Sequence, residues 1–182
     1  MISTFLPLHT DRLTLRPYVA DDADALLPIY SRPDVARFLL EEPWTARVTR
    51  EKTAERVLKT DLDGETGALS LVIEHDGVVI GDVSLWFTDR ERRVAEIGWV
   101  LDPDHGGRGF ATEAVKAVLG LAFDQYKVHR VAAQMDGRNT ASAKLASNAG
   151  MQREAYLRQH WWSKGEWTDT VIYGMLADDL RR

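Results

Sequence analysis

Hydrophobic residues are concentrated in several short stretches of the chain, and in residues 12–16 they alternate with polar ones. A period of two predicts a β-strand, because successive side chains of a strand point to opposite faces, and short apolar runs bounded by turn residues predict strands as well. The predicted strands cover residues 12–16, 69–74, 78–87, 94–101, 129–135, 156–162 and 168–176, and Pro17 ends the first. Asp76-Gly77 predicts a tight hairpin turn between two of them, since glycine readily adopts positive φ. Lys164-Gly165 predicts a second hairpin.

Apolar residues recur every three to four positions elsewhere, which predicts helices over residues 22–31, 34–39, 49–60, 112–126 and 139–150. Asp21 and Asp22 predict the N-cap of the first helix, because short acidic side chains accept from the free N–H groups of a first turn. Gly150 predicts the end of the last helix. The order of elements predicts a mixed α/β (α+β) fold, with helices flanking a central, mostly antiparallel sheet.

Composition narrows the class of protein. A chain of 182 residues fits one domain spanning residues 1–182. The net charge of -5 disfavours nucleic acid as a partner, and the absence of cysteine excludes a thiolate nucleophile or metal site. The five histidines are scattered singly, so we expect no metal. No apolar run spans a membrane and no signal peptide is visible, so we expect a cytoplasmic protein.

A glycine-rich loop joins the strand at 94–101 to the helix at 112–126. Gly106, Gly107 and Gly109 let the backbone approach a ligand, so that several N–H groups and the helix N-terminus can point at one anion. The loop is either such a phosphate cradle or a plain turn. Thr112 replaces the third glycine of a dinucleotide fingerprint, and no Gly-Lys-Ser/Thr of a P-loop occurs.

The loop resembles the Q/R-x-x-G-x-G/A pattern of the GNAT superfamily of acetyl-CoA-dependent N-acetyltransferases. It departs at Gly106, where Gln or Arg is usual. Further motifs resemble the RimJ/RimL-like branch, which acetylates protein N-termini. These motifs extend over nearly the whole chain. They are residues 10–17, 95–103, 109–114, Asn139-x-x-Ser142 with Gly150-Met151, Gly165-Glu-Trp-x-Asp169 and 173–176.

The resemblance implies a GNAT fold in which the fourth and fifth predicted strands, 94–101 and 129–135, splay apart at the ligand site. Gly98 either forms a β-bulge that opens the splay or is a glycine that only allows close packing. The resemblance also implies that the backbone at Trp99, Val100 and Leu101 pairs with pantetheine, with the Val100 amide as the most favoured oxyanion donor. Amides from Arg108 to Glu113 would hold the pyrophosphate of acetyl-CoA. The predicted cofactor-binding residues are Trp99, Val100, Leu101, Gly107, Arg108, Gly109, Phe110, Ala111, Thr112, Glu113, Asn139 and Ser142.

Individual side chains have two interpretations each. Arg108 adds a charge-assisted phosphate contact or is a solvated loop arginine. Asn139 contacts the pantetheine arm, caps a helix, or does both. Many family members have a tyrosine as proton donor seven residues after that asparagine, where this chain has Ala146. In the RimL-like branch the serine three residues after it takes the role, which Ser142 matches; otherwise Ser142 makes only a local backbone bond.

Glu96 is the best candidate base, acting on the amine through water, unless it is a structural carboxylate paired with an arginine. Glu154 and His160 are weaker candidates, and the reaction can also proceed without a dedicated base. Residues 42–45 are expected to set acceptor specificity. Trp44, Trp161, Trp162 and Trp167 either pack the hairpins or line an acceptor pocket or a homodimer contact.

The expected function is direct transfer of an acetyl group from acetyl-CoA to a primary amine, such as a protein or peptide N-terminus. An aminoglycoside or polyamine is the alternative acceptor. A different class of function is a CoA-binding module that has lost catalysis, which the Ala146 substitution keeps open.

Overall fold

A computed structural model describes residues 3–181 of the chain. Helices pack on both faces of one open sheet. The strands are β1 Leu8–His9, β2 Thr14–Pro17, β3 Thr60–Asp61, β4 Ala68–His75, β5 Val78–Phe87, β6 Val94–Leu101, β7 Arg130–Asp136, β8 Gln152–Ser163 and β9 Glu166–Leu176. The helices are α1 Asp22–Tyr30, α2 Pro33–Ala36, α3 Ala46–Val57, α4 Phe110–Asp124 and α5 Thr140–Asn148. Short 3-10 turns cover Pro103–His105 and Asp179–Arg181.

The sheet has the order β1-β2-β4-β5-β6-β7-β9-β8, with β3 beside β4. Neighbouring strands are antiparallel except β6 and β7, which run parallel and pair only from Val94–Arg130 to Glu96–Ala132. Beyond Glu96, β6 continues to Leu101 without β7 beside it. The predicted GNAT fold and the splay of its two central strands are therefore confirmed.

Each face of the sheet has its own core, since alternate strand residues are buried on opposite sides. Leu71 lies in the larger core under α4 and α5, whereas its neighbour Val72 lies in a smaller core with residues of α1. The smaller core also contains Tyr18, Tyr30 and Trp44. The two cores hold β5 between them, with α1 against one face and α4 against the other.

Several element boundaries differ from the predictions. The chain at 60–61 is a strand, not the end of a helix, and α3 begins at Ala46 because the Thr45 side chain accepts from the Val48 amide. The predicted helix over 34–39 is only the turn α2. Strands β1 and β3 have two residues each, too few to give an alternation. β8 begins at Gln152, before the predicted start at 156.

Two local predictions about side chains are also corrected. Asp21 makes no side-chain cap, and the Asp22 carboxylate binds Arg16 and the Val19 amide instead. Gly98 forms no bulge, because β5 and β6 stay in one register throughout. It is a packing glycine: a Cβ there would lie 3.3 Å from the Trp86 ring.

One predicted helix end is confirmed. Gly150 follows α5 with φ +97°, which matches its predicted role at the helix end. Among residues 3–181, no helix is long and apolar enough to cross a membrane.

Candidate active site

The glycine-rich loop leaves a series of backbone N–H groups without partners. Gly107 and Gly109 have φ of +73° and +81°, which L side chains rarely adopt, and they turn the chain directly into α4. Within residues 3–181, the N–H groups from 107 to 112 donate to no protein atom. The series ends at Glu113, whose amide donates to the Gly109 carbonyl at 3.0 Å. The prediction that the Glu113 amide holds pyrophosphate is therefore wrong, because that N–H already closes the first helical turn.

The Glu113 side chain has a different task, which the sequence did not predict. Its carboxylate accepts from the Thr10 hydroxyl at 2.6 Å and from Arg12 Nε at 2.8 Å, and Arg12 Nη1 donates to the Arg108 carbonyl at 3.0 Å. Burial raises the pKa of Glu113, but the bonds from Thr10 and Arg12 outweigh burial and hold it below its usual range. The segment before β2 thus fastens the loop in the conformation that exposes its N–H groups.

Arg108 lies on the surface of the loop. Its guanidinium is 4.6 Å from the centroid of the buried Phe110 ring, and Arg12 lies at the same distance from that ring. No hydrogen bond or ion pair joins the Arg108 side chain to any residue from 3 to 181. The Arg108 guanidinium is therefore available as a positive charge beside the exposed N–H groups, whereas the charge of Arg12 is paired with Glu113.

The register of β5 and β6 decides which amides face the splay. Asp102 N donates to Ile80 O at one end of this ladder, and Thr88 N donates to Val94 O at the other. In an antiparallel ladder every second pair exchanges hydrogen bonds, so Val100 is bonded to Asp82. The prediction that the Val100 amide is the oxyanion donor is wrong for this reason. The amides of Trp99 and Leu101 point toward the gap that β7 leaves.

Asn139 and Ser142 lie at the start of α5, beside the splayed strand. The Asn139 side chain accepts from the Ser142 amide at 3.0 Å, so its capping role is present. The Ser142 hydroxyl accepts from Trp99 Nε1 at 3.3 Å, which leaves its own hydrogen free to be donated. Ala146, which replaces the family tyrosine, is fully buried in the larger core. A tyrosine there would need space that the packed core does not have.

Two clefts meet at this point. The loop cleft encloses about 590 Å³ between the glycine-rich loop, β6 and α5, a volume within the range of about 300–1,000 Å³ that is typical of small-molecule sites. The strand cleft encloses about 440 Å³ on the opposite face, over β5 and β6. Both are lined by Trp99, Val100, Asn139 and Ser142. A group bound in one cleft therefore reaches residues that also line the other.

Aromatic side chains form much of the strand cleft. They are Tyr30, Phe38, Trp44, Trp86 and Trp99. Trp44 comes from the loop predicted to set specificity, and its ring stacks on Tyr30 with centroids 3.8 Å apart. A neighbouring cavity of about 270 Å³ contains Trp161, which is 46% exposed. Trp162 and Trp167 instead pair edge to face across the β8–β9 hairpin, as hairpin packing predicts.

Glu96 lies in that neighbouring cavity, which shares Gln134 with the strand cleft. It is half-buried, and its carboxylate accepts from Gln134 Nε2 at 3.0 Å, with no arginine bound to it among the described residues. The arginine-paired interpretation is therefore wrong. Burial raises the pKa of Glu96, and the bond from Gln134 offsets only part of that rise. A carboxylate with a raised pKa is a better proton acceptor than an exposed one.

The weaker base candidates lie elsewhere. Glu154 forms an ion pair with Arg130, which lowers its pKa more than burial raises it. His160 contacts the Thr170 hydroxyl on the β8–β9 hairpin at 3.1 Å. Neither residue lines either cleft.

The comparison with known proteins agrees with this geometry. A family model described as an acetyltransferase (GNAT) domain matches residues 12–152. The chain belongs to the GNAT acetyltransferases. It is similar to the uncharacterized N-acetyltransferase p20 of Bacillus licheniformis, at 31% identity over 93% of this chain and 95% of that protein. A GNAT-family acetyltransferase structure from Bacillus anthracis superposes with a TM-score of 0.85 and 27% identity, covering 94% of this chain and 98% of that one.

Membership in the GNAT family makes the protein an acetyl-CoA-dependent N-acetyltransferase. The ribosomal L7/L12 α-N-protein acetyltransferase RimL, solved in complex with coenzyme A, has a TM-score of 0.83 over 95% of this chain and 98% of its own. Its 20% identity relates the two proteins by fold alone. In the part of the chain that the structure describes, no group of three or more His, Cys, Asp or Glu side chains could hold a metal ion.

Replacing Glu96 with glutamine is expected to change the pH profile of kcat/KM. Below the pKa of the acceptor amine, the rate falls with slope one because the amine must be neutral. Below the raised pKa of Glu96 the wild-type slope becomes two, since the protonated carboxyl cannot accept a proton. Glu96→Gln keeps slope one and has a lower rate, by about 10²-fold where the carboxylate is ionised.

The measurement is log kcat/KM between about pH 4.5 and 9, a range that extends above the ordinary pKa of a peptide α-amino group. Glu91→Gln is the matched control, because Glu91 is exposed in the turn before β6. A wild-type profile in Glu96→Gln would exclude Glu96 as the base.

Proposed function

We propose that the protein transfers the acetyl group of acetyl-CoA directly to a primary amine at the N-terminus of a peptide or protein. The observation that carries the choice of acceptor is the pairing of carboxylates around the strand cleft and its neighbouring cavity. Asp82 is bound to Arg56, Asp136 and Glu166 to Arg138, and Glu41 to Lys52. Glu96 is the lining carboxylate that has no cationic partner within residues 3–181.

Glu96 can pair with one ammonium group, so the site suits an acceptor that carries a single amine. A polyamine or an aminoglycoside brings several ammonium groups into the cleft, each of which needs a partner once it leaves water. The aromatic lining also favours an acceptor with an apolar side chain next to its amine. A peptide N-terminus meets both conditions. The reaction then belongs in the cytoplasm, where acetyl-CoA and newly made polypeptides occur together.

The proposed cofactor position follows the free donors. The N–H groups from 107 to 112 and the Arg108 guanidinium donate to the pyrophosphate, while the amides of Trp99 and Leu101 pair with pantetheine in the splay. This arrangement brings the thioester to the meeting point of the two clefts, near Ser142.

The reaction needs no covalent enzyme intermediate. Glu96 takes the amine proton through water, and the neutral amine attacks the thioester carbonyl to give a tetrahedral oxyanion, which the Trp99 amide stabilises. When the C–S bond breaks, the departing thiolate takes the proton of the Ser142 hydroxyl, and the excess proton on the attacking nitrogen returns to Ser142 through water, which leaves a neutral amide and a neutral hydroxyl. The hydroxyl is oriented for this step by the bond it accepts from Trp99 Nε1. The products are the N-acetylated acceptor and coenzyme A.

The test is an acceptor panel assayed by thiol release, with mass spectrometry to locate the acetyl group. The panel contains a lysine-free peptide with a free N-terminus, a lysine-containing peptide with a formylated N-terminus, spermidine and kanamycin. We expect acetylation of the free N-terminus and at least about tenfold lower kcat/KM on the others, the effect of about 1.4 kcal/mol. Preference for spermidine or kanamycin would establish the small-amine alternative. Binding of acetyl-CoA without turnover of any acceptor would favour the inactive module.

A further inference from the structure

Arg56 lies on the floor of the strand cleft with most of its guanidinium buried. It belongs to the last turn of α3, and its side chain is 19% exposed. The guanidinium lies 5.2 Å from the ring centroids of Tyr30 and Trp44 and 5.6 Å from that of Tyr18. Three rings therefore fix its position before any acceptor binds.

All the hydrogen bonds of this guanidinium use a single nitrogen. Nη1 donates to Tyr18 Oη at 2.8 Å, to Tyr30 Oη at 3.1 Å and to Asp82 Oδ2 at 3.0 Å. Within residues 3–181, Nε and Nη2 donate to no protein atom. Burial lowers the pKa of Arg56, but Asp82 and the two tyrosines outweigh it, so the group stays charged. One edge of a fixed, charged guanidinium is thus free in the strand cleft.

The free edge lies one strand away from the proposed transfer point. Asp82, which holds Arg56, is the cross-strand partner of Val100, and the Cα atoms of such a pair are about 5.5 Å apart. Val100 stands between the two amides that face the splay. A peptide that places its N-terminal amine at the splay carries a carbonyl about every 3.3–3.6 Å along its chain. Its first carbonyls therefore fall within reach of Arg56.

The charge around Arg56 selects the kind of oxygen that binds. Asp82 is almost fully buried and compensates the positive charge, so an incoming carboxylate meets repulsion from one partner as well as attraction to the other. A neutral carbonyl oxygen accepts from the planar guanidinium without that repulsion. The pair therefore favours an amide carbonyl over a free carboxylate.

We propose that the Nε–Nη2 edge of Arg56 is an acceptor subsite that binds the carbonyl oxygen of the acceptor's first or second residue. This inference rests on the proposed function, because it deepens the choice of a peptide N-terminus. It gives the enzyme a means to distinguish an aminoacyl amine from an amine on an alkyl chain.

The first test compares phenylalaninamide, phenylalanine and phenethylamine, which share a side chain and differ at the carbonyl. Rates are expressed per unprotonated amine, since the three amines differ in pKa. We expect kcat/KM for phenylalaninamide to exceed that for phenethylamine by about 10–100-fold, the usual effect of a hydrogen bond to a charged group. Equal rates would overturn the subsite and leave the N-acetyltransferase function intact. A preference for phenylalanine would mean that Arg56 binds a carboxylate, which would overturn the proposed carbonyl subsite. No turnover of any of the three compounds would overturn the proposed acceptor class itself.

The second test removes the subsite. Arg56→Gln alone leaves Asp82 buried without its cation, which can prevent folding. The variant is therefore Arg56→Gln with Asp82→Asn, and Arg50→Gln, an exposed arginine of the same helix, is the control. We expect the ratio of the phenylalaninamide and phenethylamine rates to fall to near one in the double variant and to keep its wild-type value in the control. A wild-type ratio in a folded double variant would exclude Arg56 from acceptor recognition.

Discussion

Gly109→Val is expected to lower the affinity for acetyl-CoA by about 100-fold, because the valine turn either loses the N–H cradle or is forced back into it at a cost of about 1–3 kcal/mol of backbone strain. Gly109 has φ +81° and directly precedes α4, and a β-branched residue does not adopt this conformation. Valine must therefore change the turn, which moves the N–H groups from 107 to 112 away from one common point. The measurement is calorimetric titration of the folded variant with acetyl-CoA.

Gly120→Ala is the control for this substitution. Gly120 lies within α4, and a Cβ there meets no atom within 4 Å. The control should keep its acetyl-CoA affinity and unfold at a slightly higher temperature, since alanine favours a helix by about 1 kcal/mol over glycine. Wild-type affinity in Gly109→Val would mean that the loop is a plain turn.

Ser142→Ala is expected to lower kcat by about 10²-fold and to leave the dissociation constant of acetyl-CoA nearly unchanged. The hydroxyl accepts from Trp99 Nε1 and has its own hydrogen free, so its loss removes the proton for the departing thiolate. The helix cap survives, because it uses the amide of residue 142 and the side chain of Asn139. Single-turnover rates with saturating acceptor measure the effect without interference from product release.

Ser147→Ala is the matched control for Ser142, since Ser147 is exposed on the same helix. It should have wild-type kcat. If Ser142→Ala also kept the wild-type rate, the thiolate would take its proton from water and Ser142 would only line the cleft.

The regular elements could be predicted where a strong local signal fixed them. β5 has the predicted bounds, because the Asp76-Gly77 turn fixes one end and the largely apolar stretch continues to Phe87. β3 could not be predicted, since its two residues pair only because β4 lies beside them. The helix predicted to begin at Thr112 begins at Phe110, two residues earlier, because nothing in the local sequence distinguishes a helical Phe110 from the end of the loop.

The composition of the site was easier to predict than its hydrogen bonds. The glycine-rich loop and Ser142 follow from motifs, whereas the direction of the Val100 amide depends on the pairing of β6 with β5, which no single strand encodes. Glu113 and Arg12 are 101 residues apart, and Arg56 and Asp82 belong to separate elements. A signal for the second pair was present: Asp82 is a charged residue within an otherwise apolar strand, and such a residue needs a partner when buried.

The most direct test of the account is the melting temperature of the protein with and without acetyl-CoA. A ligand at about 100 times its dissociation constant stabilises the folded state by about 2.7 kcal/mol. For a protein of this size we expect an upward shift of about 5–10 °C. No shift at a millimolar concentration of acetyl-CoA would contradict it, because neither the free N–H groups of the loop nor the open edge of β6 would then be a cofactor site.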